Sequence, residues 1–203
     1  GNIAIGIASI KSNTLGTSNI AVGGTSLSYN TIGNDNVSIG SESLYYSTGL
    51  SNGTVIGTRA MQNYGIFSPA GINDNVAIGY ESLRGTNTLA MYTQNTAVGY
   101  QSMTGITNGN KNTATGYKAL YSNTNGGSNT AIGNESLFTN ATGFGNVALG
   151  LQSLYSNVSG TGNVAIGYQA GHGETGSYKL YIENSGSATP LISSRRKSRS
   201  EPY

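Results

Sequence analysis

The residues that could carry catalysis are few, and the sole histidine is the first of them. The chain of 203 residues contains no cysteine and one histidine, His172. Thiol–imidazole catalysis and histidine-clustered zinc are therefore excluded, and a Ser-His-Asp triad would have to use His172 alone. His172 lies in Gly-His-Gly-Glu-Thr-Gly (171–176), which matches the Gly-x-Gly-x-x-Gly dinucleotide fingerprint. That fingerprint requires a helix after it, whereas this sequence predicts a strand, so we interpret the segment as an exit from the preceding structure.

Acidic residues are the other candidates for catalysis. Those that could pair as glycosidase carboxylates are Asp35, Glu42, Asp74, Glu81 and Glu135. Most of them occupy loop or solvent-facing positions, and the aspartates are too few for a calcium-binding roll of the Gly-Gly-x-Gly-x-Asp type. We therefore expect a protein that is not an enzyme, with no catalytic residue, no metal and no cofactor.

Aromatic residues are better placed to bind a partner, because they recur at regular spacing. One set is Tyr80, Tyr100, Tyr117 and Tyr168, and the other is Tyr45, Tyr121, Phe138 and Tyr155. An exposed aromatic row could stack on sugar rings or fill a protein interface. The alternative, which we favour, is that the rings cover contacts within the fold or between subunits. The first set provides the candidate surface or interface residues.

The composition favours an ordered chain with little net charge. Charged residues are 9 % of the chain, hydrophobic residues are 36 %, and there are 31 glycines and 14 tyrosines. A disordered chain usually carries more charge and fewer aromatic residues. Residues 1–194 contain six Lys or Arg and seven Asp or Glu, whereas residues 195–203 contain four Lys or Arg and one Glu. We interpret this basic end as a solvated tail, and we predict neither a nucleic-acid partner nor a membrane span, since no segment approaches ~20 apolar residues.

A short segment of the form Asn-x-Ala-Ile/Val-Gly returns ten times, so the elements that position all these residues form a repeat array. The copies begin at Asn2, Asn19, Asn36, Gly53, Asn75, Asn95, Asn112, Asn129, Asn146 and Asn163. The period is 17 residues except at two longer intervals, of 22 and 20 residues. A fixed period of this kind is typical of a solenoid, in which each copy covers the apolar face of the one before.

Equivalent positions, counted from the asparagine as position 1, predict how the coils stack. The position-1 asparagines should form a ladder of stacked amides. Position 5 is always glycine, which indicates a corner with positive φ or no room for a Cβ atom. These structural glycines are Gly6, Gly23, Gly40, Gly57, Gly79, Gly99, Gly116, Gly133, Gly150 and Gly167. A second glycine is frequent at position 15 and predicts a second bend.

Positions 2 to 4 predict a short strand that is apolar on both faces. One coil offers a single interior, so the other face needs a partner. A second strand is predicted at positions 8 and 9, where Ser or Ala precedes a column of Leu, Ile or Met. Either the chain bends before this column or the column packs outside its own coil. No helical stripe is sustained, so the fold class is all-β: a parallel β-solenoid or β-roll of about ten 17-residue coils.

These patterns divide the chain into three segments. Residues 1–171 are the β-roll repeat array, with the two longer intervals predicted to form loops. Residues 172–192 are an exit strand or cap segment, with an alternating strand at 177–184, and residues 193–203 are a basic flexible tail. The chain begins at Gly1 without a methionine, so we expect a piece of something longer whose first coil meets another domain or chain.

The repeats resemble those of a known class of surface proteins. The Asn-x-Ala-Ile-Gly copies with their following Ser-Leu resemble the head repeats of trimeric autotransporter adhesins, and the related repeats of phage and giant-virus tail-fibre proteins. The likeness covers residues 2–171, and Lys179–Asn184 with Ala188–Ile192 resembles a segment that follows such repeats in tail-fibre-like proteins. The adhesin family implies a left-handed parallel β-roll with three chains around one axis, although its usual period is shorter than 17.

These observations favour a structural and adhesive role. We expect a homotrimeric shaft or head of a fibre on an extracellular or virion surface, whose partners are itself and a host or cell-surface glycan or protein. One alternative is a filament subunit that polymerises through open coil ends. Another is a monomeric glycan-binding solenoid.

Overall fold

The protein is an all-β parallel solenoid, as the repeat period predicts. A computed structural model describes residues 1–64, 71–72, 74–86, 92–185 and 192–195. Within these residues there are strands and turns but no helix. Each repeat contributes one coil, and successive coils stack so that equivalent residues lie above one another.

The strands are short and recur once per coil. They are β1 (Ile3–Ile5), β2 (Ile20–Val22), β3 (Val37–Ile39), β4 (Leu50–Ser51), β5 (Thr54–Ile56), β6 (Gly71–Ile72), β7 (Val76–Ile78), β8 (Thr96–Val98), β9 (Thr113–Thr115), β10 (Thr130–Ile132), β11 (Val147–Leu149), β12 (Val164–Ile166), β13 (Lys179–Ile182) and β14 (Ile192–Arg195). All except β4 and β6 belong to one sheet of twelve described strands. Its strands from β1 to β13 are parallel and in register, so that Ala131 pairs with Ala148 one coil later.

The two longer intervals leave this sheet unbroken. β5 pairs with β7 and β7 with β8 in the same register as elsewhere, and β4 pairs with β6 beside them. The loops predicted there fall on residues 65–70, 73 and 87–91, which lie outside the described residues. Tyr64 and Tyr92 flank these segments and are buried with their rings in an edge-to-face contact 5.0 Å apart. Their rings fill the core where the coil departs from 17 residues.

Each strand has one buried face and one half-exposed face. Position 3 is fully buried from the second coil to the tenth, usually as alanine, because this face points into the narrow interior. The side chains at positions 2 and 4, which we call the outer strand face, point away from it. Ile132 and Ile166 on this face are 44 % and 39 % exposed. Within one chain the coil therefore covers only one of the two apolar strand faces, as its single interior requires.

The predicted second strand is a turn instead. Positions 7 and 9 have left-handed backbones, for example Glu135 with φ 53° and Leu137 with φ 50°. The alternation of φ directs the Glu135 N–H to the preceding coil, at Tyr117 O, and the Leu137 N–H to the following coil, at Ser153 O. The bend turns the position-9 side chain inward, so the column of Leu and Met packs inside its own coil, where it is fully buried from coil two to coil nine.

The position-5 glycines meet both constraints that the sequence predicts. Gly40 has φ 132°, in a region that side-chain-bearing residues rarely adopt. A Cβ atom on Gly40 would also lie 2.6 Å from the carbonyl oxygen of Gly57 on the next coil. The position-15 glycines differ, since Gly126 has no positive φ and is required only by close approach: a Cβ atom there would overlap Asn123 Oδ1 and would lie 2.6 Å from the carbonyl oxygen of Gly143 on the next coil.

The position-1 asparagines form the predicted ladder. The Asn129 backbone N–H and Nδ2 both donate to Oδ1 of Asn112, at 2.9 and 3.2 Å, and Nδ2 also donates to Gly143 O at 2.8 Å. A second ladder at position 12 was not predicted: Nδ2 of Asn140 donates to Asn123 Oδ1 at 3.1 Å. Its signal in the sequence is an asparagine three residues before the position-15 glycine, interrupted in the middle coils by other residues. Buried amides therefore hold the coils together on two sides.

The C-terminal segment continues the sheet and then reverses it. β13 pairs parallel with β12, and β14 pairs antiparallel with β13. Position 9 of the tenth coil is Gly171, where the ring of Tyr181 packs beside the end of the leucine column, and Glu183 Oε1 accepts the Gly171 N–H at 3.0 Å. These contacts lie within the segment predicted as an exit strand or cap, residues 172–192. The predicted flexible tail begins too early, because residues 193–195 belong to β14, and its remainder, 196–203, lies outside the described residues.

Candidate functional site

Beyond the corner glycine the coil presents three neighbouring columns, at positions 6, 7 and 10, which we call the three-column face. The corner separates these columns from the outer strand face. In the second half of the array, positions 6 and 10 are largely aromatic and position 7 is polar. These columns contain the candidate tyrosines and most of the candidate acids.

The position-6 tyrosines stack on one another between coils. The rings of Tyr80 and Tyr100 are 5.3 Å apart and nearly parallel, and those of Tyr100 and Tyr117 are 5.4 Å apart. All three remain 38 to 45 % exposed at their edges. Tyr168 is also exposed but lies apart from them, since Asn134 and a leucine occupy position 6 on the two intervening coils. The structure thus brings together three of the four predicted residues.

A second aromatic stack lies at position 10, and it includes the sole histidine. Tyr121, Phe138, Tyr155 and His172 follow one another with ring centres 5.0 to 5.1 Å apart and planes within 4° of parallel. His172 therefore belongs to the tenth coil rather than to a nucleotide-binding loop, and the strand β13 follows it as predicted. The position-10 residue Tyr45 packs elsewhere, against two tyrosines of position 11 that we did not single out from the sequence, Tyr29 and Tyr46.

The polar column at position 7 runs between the two stacks as a hydrogen-bonded ladder. Gln152 donates to Glu135 at 2.8 Å and Gln169 donates to Gln152 at 2.9 Å. On the seventh coil, Nζ of Lys118 lies 5.1 Å from the ring centre of Tyr117 and 5.4 Å from that of Tyr121. A hydrogen bond with Tyr117 raises the pKa of Lys118. The ammonium lies between the two rings.

Two of the candidate acids are held in an ion-pair network. Arg59 lies 3.1 Å from Glu42 and 3.8 Å from Glu81, and Arg84 lies 3.0 Å from Glu81. Burial raises the pKa of Glu81, but hydrogen bonds from Gln101 and Arg84, together with the positive charge of Arg84, outweigh burial and lower that pKa overall. Glu81 is therefore a charged structural partner of the arginines. Asp35 and Asp74 are each the last residue of their coil, directly before a position-1 asparagine, and both have a left-handed backbone.

The outer strand face is the other surface that could meet a partner. It presents a column of aliphatic and threonine side chains along the whole parallel sheet. Its large apolar members with more than a third of their surface exposed in coils two to ten are Ile20, Ile39, Ile56, Ile132 and Ile166. An aligned row of exposed apolar side chains is typical of an interaction surface.

A search of the described residues found no group of three or more His, Asp or Glu side chains placed to hold a metal ion. The described part of the chain also contains no helix long and apolar enough to cross a membrane.

These features define a parallel β-solenoid repeat protein with asparagine and aromatic ladders. Comparisons with protein-family models, with curated proteins and with solved structures found no match to this chain.

Proposed function

We propose that this chain is the shaft or head segment of a homotrimeric fibre on an extracellular or virion surface, with a structural and adhesive role and no catalysis. The observation that carries the proposal is the outer strand face, a half-exposed aliphatic column along a continuous parallel sheet. Packing of this face against copies of itself removes the apolar surface from water, which is the dominant favourable term in protein association.

The internal ladders support a mechanical role. The coils are bonded to their neighbours through the strand, the alternating turn and, wherever position 1 is asparagine, its side chain. An example is Asn146, whose backbone and side chain both donate to Asn129. Because these bonds repeat along one axis, the coils form a stiff rod. Such a rod suits a spacer that holds a binding surface away from a cell or a virion.

The test is the solution mass of residues 1–203, measured by light scattering over a range of protein concentrations. We expect a mass near three chains. Replacing two residues of the outer strand face, Ile132→Lys with Ile166→Lys, should lower this mass to one chain. The matched control is Val158→Lys, which changes a 50 % exposed aliphatic residue at position 13, outside the strand, and should leave the mass unchanged.

Two results would overturn the proposal. A monomeric wild-type protein at all concentrations would leave the outer strand face uncovered. Species that grow end to end without a closed trimer would instead favour a filament subunit.

A further inference from the structure

We propose that the three-column face binds an extended, uncharged glycan, centred on the seventh coil at Tyr117, Lys118 and Tyr121. This inference rests on the adhesive part of the proposed function and names the surface and the ligand class that serve it. Four properties of the face support glycan binding: its separation from the outer strand face, its hydrogen-bonding groups, its end rings and its charge.

The three-column face remains open when the outer strand face is covered. The corner glycine at position 5 turns the chain, so that positions 2 and 4 point from one side of the coil and positions 6, 7 and 10 from the next. On the seventh coil, Gly116 lies between Thr115 of the strand and Tyr117 of the three-column face. A trimer formed through the strands therefore leaves the aromatic columns in contact with solvent.

The polar column offers spare donors and acceptors in a fixed arrangement. A glutamine side chain has two N–H donors and an oxygen with two lone pairs. The ladder uses one donor and one lone pair of Gln152, through Glu135 and Gln169. The remaining groups of these half-buried side chains lie on the eighth to tenth coils, beside the seventh. A chain of hydroxyl-bearing sugars can both donate to and accept from such a row.

Each aromatic stack has two end rings, Tyr80 and Tyr117 at position 6 and Tyr121 and His172 at position 10, and the seventh coil is where one end of each stack lies on the same coil. The position-6 stack ends at Tyr117, because the next coil carries Asn134 there, and the position-10 stack begins at Tyr121, because the preceding coil carries Thr104. Rings inside a stack cover each other and offer only their edges. Nζ of Lys118 lies 5.1 and 5.4 Å from the centres of these two rings, so a sugar must displace this flexible side chain. The negative face of an end ring can then pack against the weakly positive C–H face of a pyranose.

The charge of the face favours an uncharged ligand. From the seventh to the tenth coil, positions 6, 7 and 10 contain one cation, Lys118, one carboxylate, Glu135, and His172, which is taken as neutral. A polyanion such as a nucleic acid requires a basic cluster, which these columns do not supply. Neighbouring rings and ladder bonds already restrict the side chains, so binding loses little conformational entropy.

The experiment is a glycan array that includes linear neutral and charged glycans, probed with the labelled protein of residues 1–203. We expect binding to linear neutral glycans, an affinity reduced at least tenfold in Tyr117→Ala, and no more than a twofold change in Tyr117→Phe, which keeps the ring. Tyr178→Ala is the matched control, since Tyr178 is 56 % exposed but sits at position 17, away from the face.

A second variant, Asn134→Tyr, tests the free ring face without removing any contact. Its new ring should extend the tyrosine stack onto Tyr117 and cover the proposed sugar platform. We expect it to abolish glycan binding while it leaves the melting temperature equal to or above that of the wild type. Normal binding by Asn134→Tyr would overturn the proposed centre of the site.

Three other outcomes would also overturn the inference: no binding on the array, binding confined to charged glycans, or a change of assembly mass in Tyr117→Ala. The last would assign this face to contacts between copies of the chain. Light scattering on the same samples separates this inference from the trimer proposal. A monomer with the expected glycan pattern would contradict the trimer alone, and a trimer that binds no glycan would contradict this inference alone.

Discussion

Equivalent residues of successive coils share the same backbone φ values, and several of these values are positive. Positions 7, 9 and 17 adopt positive φ with ordinary side chains, such as Lys118 at 51°, Leu120 at 52° and Lys111 at 60°. This conformation costs ~1–2 kcal/mol for each such residue. Bonds between coils offset that cost, since the Lys118 N–H donates to Tyr100 O and the Leu120 N–H to Ser136 O.

At position 5 there is no room for a side chain, so we expect Gly40→Ala to destabilise the fold. The substitution places a Cβ atom 2.6 Å from the Gly57 carbonyl oxygen in a backbone with φ 132°. We expect a loss of roughly 3–5 kcal/mol in the free energy of unfolding, from backbone strain together with the displaced neighbouring coil. Urea unfolding followed by circular dichroism measures it.

The control is Gly173→Ala, where an added Cβ atom meets nothing within 4 Å and φ is not positive. This change should leave the free energy of unfolding within about 0.5 kcal/mol of the wild type. Equal effects of the two substitutions would contradict the steric explanation of the position-5 column.

At the scale of elements, β13 is the point where the regular array stops. The preceding loop is tied to it by the Glu174 carboxylate, which accepts hydrogen bonds from the Tyr181 hydroxyl and the Gly176 N–H. Burial raises the pKa of Glu174, but these two hydrogen bonds and the charge of Lys179 outweigh it, so the pKa lies below the usual 4.5. The charged form of Glu174 therefore stabilises the cap.

Acid should loosen this cap through Glu174. Because the folded-state pKa is lowered, the contribution of Glu174 is complete above pH 4.5 and is lost as pH falls through the lower folded-state pKa. Hydrogen exchange of residues 174–183, compared between neutral pH and pH below 4.5, should show protection falling on acidification after correction for intrinsic rates. In Glu174→Gln this pH dependence should be smaller, and an unchanged dependence would show that another group controls the cap.

For the whole molecule, the coil is the structural unit. Strand register is the same from β8 to β12, and equivalent bonds recur every 17 residues. In a solenoid each repeat contacts only its neighbours, so stability is approximately a sum over repeats and their interfaces. Removal of one complete coil should therefore leave a shorter solenoid with intact ladders.

Deletion of residues 112–128 tests this modularity, because it joins Lys111 directly to Asn129 and restores the same register. We expect a folded protein with the same β-type circular dichroism per residue and a modestly lower unfolding midpoint. Deletion of residues 113–120 is the comparison, because the loss of these eight residues removes the strand and the corner and leaves too short a chain for the seventh coil to complete its turn. It should unfold the C-terminal half, and a similar stability for both deletions would contradict in-register stacking.

The sequence by itself determines the features that repeat as residue types. The 17-residue period, the strand at positions 2–4, the position-1 asparagine ladder and the position-5 corner can all be predicted. Each depends on residue types that recur at equivalent positions, in every coil for the corner glycine and in nine of ten coils for the asparagine. The candidate tyrosines could be located in the same way. Their stacking into one set of three, with Tyr168 apart, depends on Asn134 and the leucine between them.

Only the tertiary structure decided the direction of the leucine column, the second asparagine ladder and the place of His172. Glu135 and Leu137 are not residue types that favour positive φ, and bonds to the coils on either side impose it. The position-12 ladder is interrupted in sequence, as at Tyr64, and is visible only when the coils are superposed. In the sequence His172 lies in a glycine-rich segment that is typical of a loop. The structure shows that it belongs to the tenth coil and that its ring stacks on Tyr155. In each case the deciding interaction lies between coils, about 17 residues away along the chain.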